Sequence, residues 1–415
     1  MRKLAIITGL IVLWVLVVIA FFVVEELLRK PPVEIGDQAS IQNYVVQKLD
    51  GALSRKRLGT AAVAIIQDGK ILMERGFGAA VKTDKTLYLL SSLSKAVSAW
   101  GVMKLVEEKR LTLDEPVLPY LNRWRFPGSE TYRHKVTARQ LLSHTAGFED
   151  GYGHSGFLPG EKLQSIEESL TLPKDANTGS AHAAVIVREP GTVMSYSSAG
   201  YAVLQLLIEE ITGKAFNDYM QESVLKPLGM RESTYSLDSI IAQGRKDNLA
   251  ANYDLRLQTH PHRNHANMAG VSLRSTAHDL AQLVMAYHRD NPVLTRELMT
   301  QFWTPQPGTS STWGLGHTLY GENNSGGYLF GHGGGAFPAS GAEMRVNPAT
   351  GNGIVILASG TQGLISEVAD VWVYWETGKK LFDIRNVVQK RLIHAIVAVI
   401  IGMIAILFWK NQKKK

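Results

Sequence analysis

Strand-type sequence occurs in two stretches near opposite ends of this chain, and that separation constrains the fold more than any other feature. Ala61–Gln67 and Ile71–Phe77 flank Asp68-Gly69, a hairpin signal. The next strand signals come at Gly326–Gly331, Ala342–Val346 and Asn352–Ala358, the last two joined by the turn-rich Asn347-Pro-Ala-Thr-Gly351. From about Leu111 to Gln301 the sequence reads as helices and long polar loops without regular strand spacing. Ile41–Leu53 and Leu364–Trp375 have helical spacing outside the strand-bearing stretches. The helical part is thus an insertion between two strand-bearing ends, the pattern of an α+β chain.

Within this frame, Ser92-Leu93-Ser94-Lys95 follows a β-type run and opens an apolar helical stretch. Residues three apart on a helix share a face, so the Lys95 amine can reach the Ser92 hydroxyl. An amine buried beneath apolar neighbours is pushed towards a neutral base, which is how a weak alcohol becomes a nucleophile. Apolar residues at Ala96, Val97, Trp100, Met103, Leu105 and Val106 cover so much of the helix that it is expected to be buried. Taken alone, Ser-x-x-Lys arises by chance in many chains, and a serine before a helix is usually an N-cap.

Two further signals follow in order: Tyr196-Ser197-Ser198, and His332-Gly333-Gly334-Gly335 after the β-type run Tyr328–Gly331. Leu141-Leu-Ser-His144-Thr-Ala-Gly-Phe148, Tyr201–Gly213, Lys226-Pro-Leu-Gly-Met230, Ser275–Leu280 and Trp313-Gly-Leu-Gly316 accompany them. In this order the segments resemble the serine β-lactamase and penicillin-binding protein superfamily, in its class C β-lactamase, DD-peptidase and esterase branch, over roughly residues 40 to 378. The resemblance implies a β-lactamase/DD-peptidase-like fold, an antiparallel sheet with flanking helices beside an all-α lobe at about 110–300, with the active site in the cleft. It implies Ser92 as acyl-forming nucleophile, Lys95 and Tyr196 as its proton-transfer partners, and an oxyanion hole from the backbone N–H groups of Ser92 and Gly335. Ser198, His332, Gly333 and Gly334 are then the substrate-binding positions.

Two departures bear on the substrate. Many β-lactamases of this branch carry Asn where Ser198 stands, and Lys-Thr-Gly where this chain has His332-Gly333-Gly334. A hydroxyl makes fewer hydrogen bonds than an amide, and histidine, unlike lysine, is mostly neutral at pH 7. Both changes suit an esterase, D-aminopeptidase or D-Ala-directed peptidase better than a β-lactamase proper, and a membrane-tethered, outward-facing member is expected to act on cell-envelope peptides or D-alanyl esters; a penicillin-binding protein with little turnover is the other alternative. No cofactor is implied. His260, His262 and His265 do not match a metal-ligand spacing, and no metal is expected. His144 is expected to hold backbone rather than to catalyse.

The ends carry their own signal. Leu4–Val24 is an uncharged apolar run, about as long as the ~20 residues of a membrane crossing, and Leu392–Trp409 is a second, interrupted only by His394. The expected organisation is an anchor at 1–30, a linker at 31–40, the hydrolase domain at 41–378, a linker at 379–391, a transmembrane helix at 392–409 and a basic tail at 410–415. Basic residues at both extremities place the termini in the cytoplasm and the domain outside, a two-pass protein of the cell (inner) membrane. Residues 1–30 carry a net +2 and residues 391–415 a net +5, which together make the +7 of the whole chain. The domain between is neutral and calls for no nucleic-acid partner. Cysteine is absent, which excludes disulfides and thiolate chemistry.

Overall fold

The computed structural model describes residues 31–379, apart from 129, 150–154 and 176–183, together with a few positions near the N-terminus. Residues Ile35–Lys379 form one compact unit. In chain order it contains helix α1 (Gln38–Ser54), strands β1 (Thr60–Gln67), β2 (Lys70–Phe77) and β3 (Tyr88–Leu89), a 3₁₀ turn (Ser91–Leu93), and helices α2 (Ser94–Glu107), α3 (Ala138–Leu142), α4 (Ile166–Thr171), α5 (Ser198–Thr212), α6 (Phe216–Met220), α7 (Leu237–Ala242) and α8 (Met268–Val271). Then come β4 (Arg274–Ser275), α9 (Ala277–Ala286), α10 (Arg296–Thr300), β5 (Thr318–Glu322), β6 (Tyr328–Ala336), β7 (Ser340–Asn347), β8 (Asn352–Ser359) and α11 (Leu364–Thr377).

The two strand-bearing ends meet in one antiparallel sheet of order β2-β1-β8-β7-β6-β5. Its β1–β2 hairpin turns at Asp68 (φ +50°) and Gly69 (φ +66°), the paired left-handed residues of a tight primed turn. Strands β7 and β8 are buried along their whole length, so both sheet faces are covered. Helices α1 and α11 cover one face, and α9 and the 3₁₀ turn pack on the other. Trp375 Nε1 donates to the Asp37 carbonyl at 2.8 Å, tying the end of α11 to the start of α1.

Sequence reading missed β5 and ended β6 at Gly331, whereas the strand runs on through His332-Gly-Gly-Gly to Ala336. Glycine is a poor strand former, so this run reads as a break. Its glycines answer instead to close backbone approach: a methyl group on Gly331 would lie 1.9 Å from the Met344 carbonyl oxygen.

The expected membrane-spanning helix at each end is corrected. Among the described residues no helix is long and apolar enough to cross a membrane. The longest, α1, has 17 residues and buries only the stripe of Ile41, Val45, Leu49 and Ala52, against the ~20 apolar residues that a crossing needs. Residues 392–409, and all but isolated positions of 4–24, lie outside the described residues. Among the described residues, the two-pass inner-membrane topology, with cytoplasmic termini and an outward domain, therefore has no spanning helix beneath it.

A buried polar chain fixes the loop before β5 against α2. Trp100 Nε1 donates to Tyr287 Oη at 2.9 Å, Tyr287 Oη meets His317 Nε2 at 2.6 Å, and His317 Nδ1 donates to the Leu315 carbonyl at 2.7 Å. Burial pushes His317 down to about 4. Above its ordinary value of 6.5 the imidazole is neutral in the folded and unfolded chain alike. Below 6.5 the unfolded chain takes up a proton that the folded chain refuses until about 4, so stability falls as pH drops through this window. From about pH 7.5 to about pH 5 the loss due to His317 is expected to be about 2 kcal/mol. Urea midpoints at the two pH values should show a smaller pH-dependent loss in His317→Gln than in wild type; an identical loss would refute this assignment.

Candidate active site

The Ser91–Leu93 turn presents Ser92 at the head of α2. Ser91 has φ +51°, a left-handed conformation that a serine adopts only under constraint. The constraint comes from two straps: Leu90 N–H donates to the Leu273 carbonyl at 2.8 Å, and Leu273 N–H donates to Ser94 Oγ at 3.0 Å. The turn's own bonds run from Leu93 N–H to Leu90 and from Ser94 N–H to Ser91, and neither uses the Ser92 N–H.

Lys95 is fully buried and its amine donates to Ser92 Oγ at 3.3 Å and to the Gly270 carbonyl at 2.9 Å. The ammonium position also lies 5.1 Å from the Tyr196 ring centre and 5.6 Å from that of Tyr201, within cation–π range. Asn267 sets the Gly270 carbonyl in place: its Oδ1 accepts from Gly270 N–H at 2.9 Å while its Nδ2 donates to the Ser198 carbonyl at 2.8 Å. One buried amide therefore couples the seat of Lys95 to the start of α5.

Tyr196 is held from both sides by His144. The His144 carbonyl accepts from Ser195 N–H at 2.8 Å and its Nδ1 accepts from Ser197 N–H at 3.1 Å, while the two rings lie 4.3 Å apart. Burial, with Lys95 next, holds His144 well below the usual histidine range. His332 is also buried, and burial followed by the Lys95 charge pushes it down to about 3. Its Nδ1 contacts the Gly333 carbonyl at 2.5 Å, which assigns the proton to Nδ1 and leaves the Nε2 lone pair as an acceptor. Trp313 closes the group, 5.0 Å from the His144 ring and 5.4 Å from the His332 ring.

Strand β6 meets the Ser91–Leu93 turn backbone to backbone. A methyl group on Gly334 would lie 2.1 Å from the Leu90 carbonyl oxygen, 2.9 Å from Leu93 N and 3.1 Å from Ser92 N. Only glycine allows this approach, which brings the Ser92 backbone against the Gly334 position. Ser92, Tyr196, His332, Gly333, Gly334 and Gly335 all line one cavity of about 850 Å³. Lys95 lies beneath it at Ser92. Ser198 is not among the described residues of the cavity wall; it opens α5, behind its cap Ser197.

Sequence reading assigned no role to Gly270, Asn267, Tyr201, Trp313 or Glu343. A backbone carbonyl such as that of Gly270 leaves no mark in a sequence. Glu343 and Arg345 did leave one, opposite charges two apart in a strand and so on one face. Among the described residues no group of three or more potential ligands is arranged to hold a metal ion. His260 pairs with Asp254 at 3.2 Å and its ring lies 5.4 Å from that of Phe337, which is exposed at the cavity mouth.

Comparison with known proteins follows the same lines. The Beta-lactamase family model matches residues 41–379. Penicillin-binding protein 4 of Amycolatopsis lactamdurans is 28% identical over 194 residues, covering 45% of this chain and 47% of that protein. The chain thus spans about half the length, or less, of the curated relatives it matches. The structure of an octameric penicillin-binding protein homologue from Pyrococcus abyssi superposes with a TM-score of 0.65 at 25% identity, over 83% of this chain and 78% of that one. A D-stereospecific amidohydrolase from Streptomyces sp. shares the fold, with a TM-score of 0.62 at 20% identity over 83% of this chain and 99% of its own. The family match spans the sheet, the helical lobe and the Ser92 turn together, and the chain accordingly belongs to the Beta-lactamase family of serine hydrolases.

Proposed function

We propose that this chain transfers the acyl group of a small amide or ester, typified by D-amino-acid derivatives of the kind found in cell-envelope peptides, first to Ser92 and then to water. The observation that carries the reading is the buried Lys95 amine, 3.3 Å from Ser92 Oγ and fixed by the Gly270 carbonyl. Ser92 Oγ attacks the carbonyl carbon and its proton passes to the Lys95–Tyr196 pair. The tetrahedral oxyanion is held by the Ser92 and Gly335 N–H groups, a preorganised electrostatic term that is commonly the largest in acyl transfer. The bond to the leaving group breaks, and that group takes the proton. Water then attacks the acyl-enzyme, giving its proton to the same pair, and releases the acid and free Ser92.

The substrate class rests on chemistry and likeness together. The neutral His332 leaves no charge where a lysine would offer a cation, and a D-stereospecific amidohydrolase shares the fold. Trp313 and the exposed Phe337 give the cavity apolar walls, suited to the body of an ester or amide.

Mass mapping after treatment with a fluorophosphonate tests the nucleophile. A covalent adduct is expected on Ser92 and not on Ser91 or Ser94, and is expected to vanish in Ser92→Ala. Lys95→Ala should lower kcat/KM for a p-nitrophenyl ester on the order of 10²–10⁴-fold with the fold retained. Labelling that persists unchanged in Ser92→Ala sinks the proposal.

Gly334→Ala tests the backbone contact. The added methyl has no room at the Leu90 carbonyl, so β6 and the nucleophile turn must part. Loss of at least about 10²-fold in kcat is expected from the displaced donor, with a near-native circular dichroism spectrum. Wild-type turnover by a folded variant would show that the contact does not set the oxyanion geometry.

A further inference from the structure

Glu343 is the one formally charged side chain among the described residues that line the cavity. It stands on β7 opposite Gly333, and it accounts for that glycine. A methyl group at position 333 would lie 3.0 Å and 3.2 Å from the two carboxylate oxygens. The space that a side chain at 333 would fill is therefore taken by a carboxylate reaching across from the neighbouring strand.

The carboxylate is fixed in that position. Arg345 Nη1 donates to one oxygen at 2.6 Å and Ser366 Oγ to the other at 2.5 Å. Arg345 does not turn its charge to the cavity: it is buried, lies 3.5 Å over the Tyr320 ring and has Asp370 at 3.8 Å. Two carboxylates to one guanidinium leave this corner net negative. On the other face of β6, His332 is neutral, and the Lys95 amine is directed to Ser92 and the Gly270 carbonyl. No cation lines the cavity among the described residues.

We infer that Glu343 is a specificity-determining residue: it disfavours substrates that bring a carboxylate alongside β6 and favours those that bring an ammonium or a neutral group. A like charge in a desolvated cleft is costly, and a fixed carboxylate needs no rearrangement to exert that cost. The inference rests on the acyl-transfer reading above and names the charge class of its substrates, amine-bearing esters and amides before carboxylate-bearing ones such as penicillins.

The test uses matched phenyl esters that carry, on the phenol or on the acyl side, a carboxylate, a methyl or an ammonium group. Wild type is expected to prefer the ammonium ester to the carboxylate ester in at least one of the two series. In Glu343→Gln, which keeps the shape of the side chain, the ratio of the two kcat/KM values should fall on the order of tenfold. Because it is a ratio within one protein, it does not depend on how much of the variant is active. Glu343→Thr, smaller and uncharged, serves if the amide variant does not fold. Wild-type preference for the carboxylate ester in both series, or ratios unchanged in the folded variant, overturns the inference. Failure of wild type to turn over even the methyl ester overturns the acyl-transfer reading instead, so the two failures are told apart.

Discussion

The backbone contact between β6 and the Ser91–Leu93 turn is the constraint on which the rest of the site depends. It brings a strand from the C-terminal half against a helix start from the N-terminal half with no side chain between them, because Gly334 has none. Every other feature keeps that meeting in register. The Leu273 straps hold the turn from below, and the antiparallel pairing of β6 with β7 holds the strand from the side. The left-handed Ser91 is where the turn absorbs the resulting strain, next to the proposed nucleophile.

A second constraint is electrostatic. A fully buried lysine is costly unless its donors are met, and here the Gly270 carbonyl, Ser92 Oγ and two aromatic faces meet them. The neighbouring imidazoles of His144 and His332 are held neutral by burial and by Lys95. They therefore serve as fixed dipoles: one imidazole nitrogen binds the Tyr196 segment and the other locks its own ring on Gly333. In the proposed acyl transfer, the proton of Ser92 is left to the amine and the phenol, with the two histidines shaping the ground around them.

The fold was largely legible because hydrophobic periodicity marked the strands and helices that carry the core: the Asp68-Gly69 hairpin, β7, β8, α1, α2 and α11 stand close to their expected limits. The strand continuation through His332–Ala336 was not, since glycine was chosen there for contact with another backbone and such contacts are invisible in a linear pattern. In the site, the Ser92–Lys95 spacing and the two further motifs pointed to residues of which Ser92, Tyr196, His332, Gly333, Gly334 and Gly335 line one cavity, with Lys95 bonded to Ser92 beneath it. Ser198 departs from this, because its position at the first turn of α5 commits its carbonyl to Asn267 and sets it back from the cavity wall. The apolar ends misled for the opposite reason: hydropathy alone carried the membrane reading, and among the described residues no spanning helix accompanies it.

Alternation along β6 divides the labour of the cavity between the two faces of one strand. His332 and Gly334 point towards Lys95, Tyr196 and the Ser92 turn, where acyl transfer is proposed to occur. Gly333, between them, points to the face of Glu343, Arg345 and Ser366 beneath α11. The first face needs an uncharged lining so that the buried amine is not drawn away from the serine hydroxyl. The second can carry a fixed carboxylate because the strand itself stands between it and Lys95, while Arg345 holds it rigid. The proposed chemistry and the proposed charge selection can thus vary independently, one through the residues that surround Ser92 and the other through the pair at 333 and 343, without disturbing the backbone contact that both faces share.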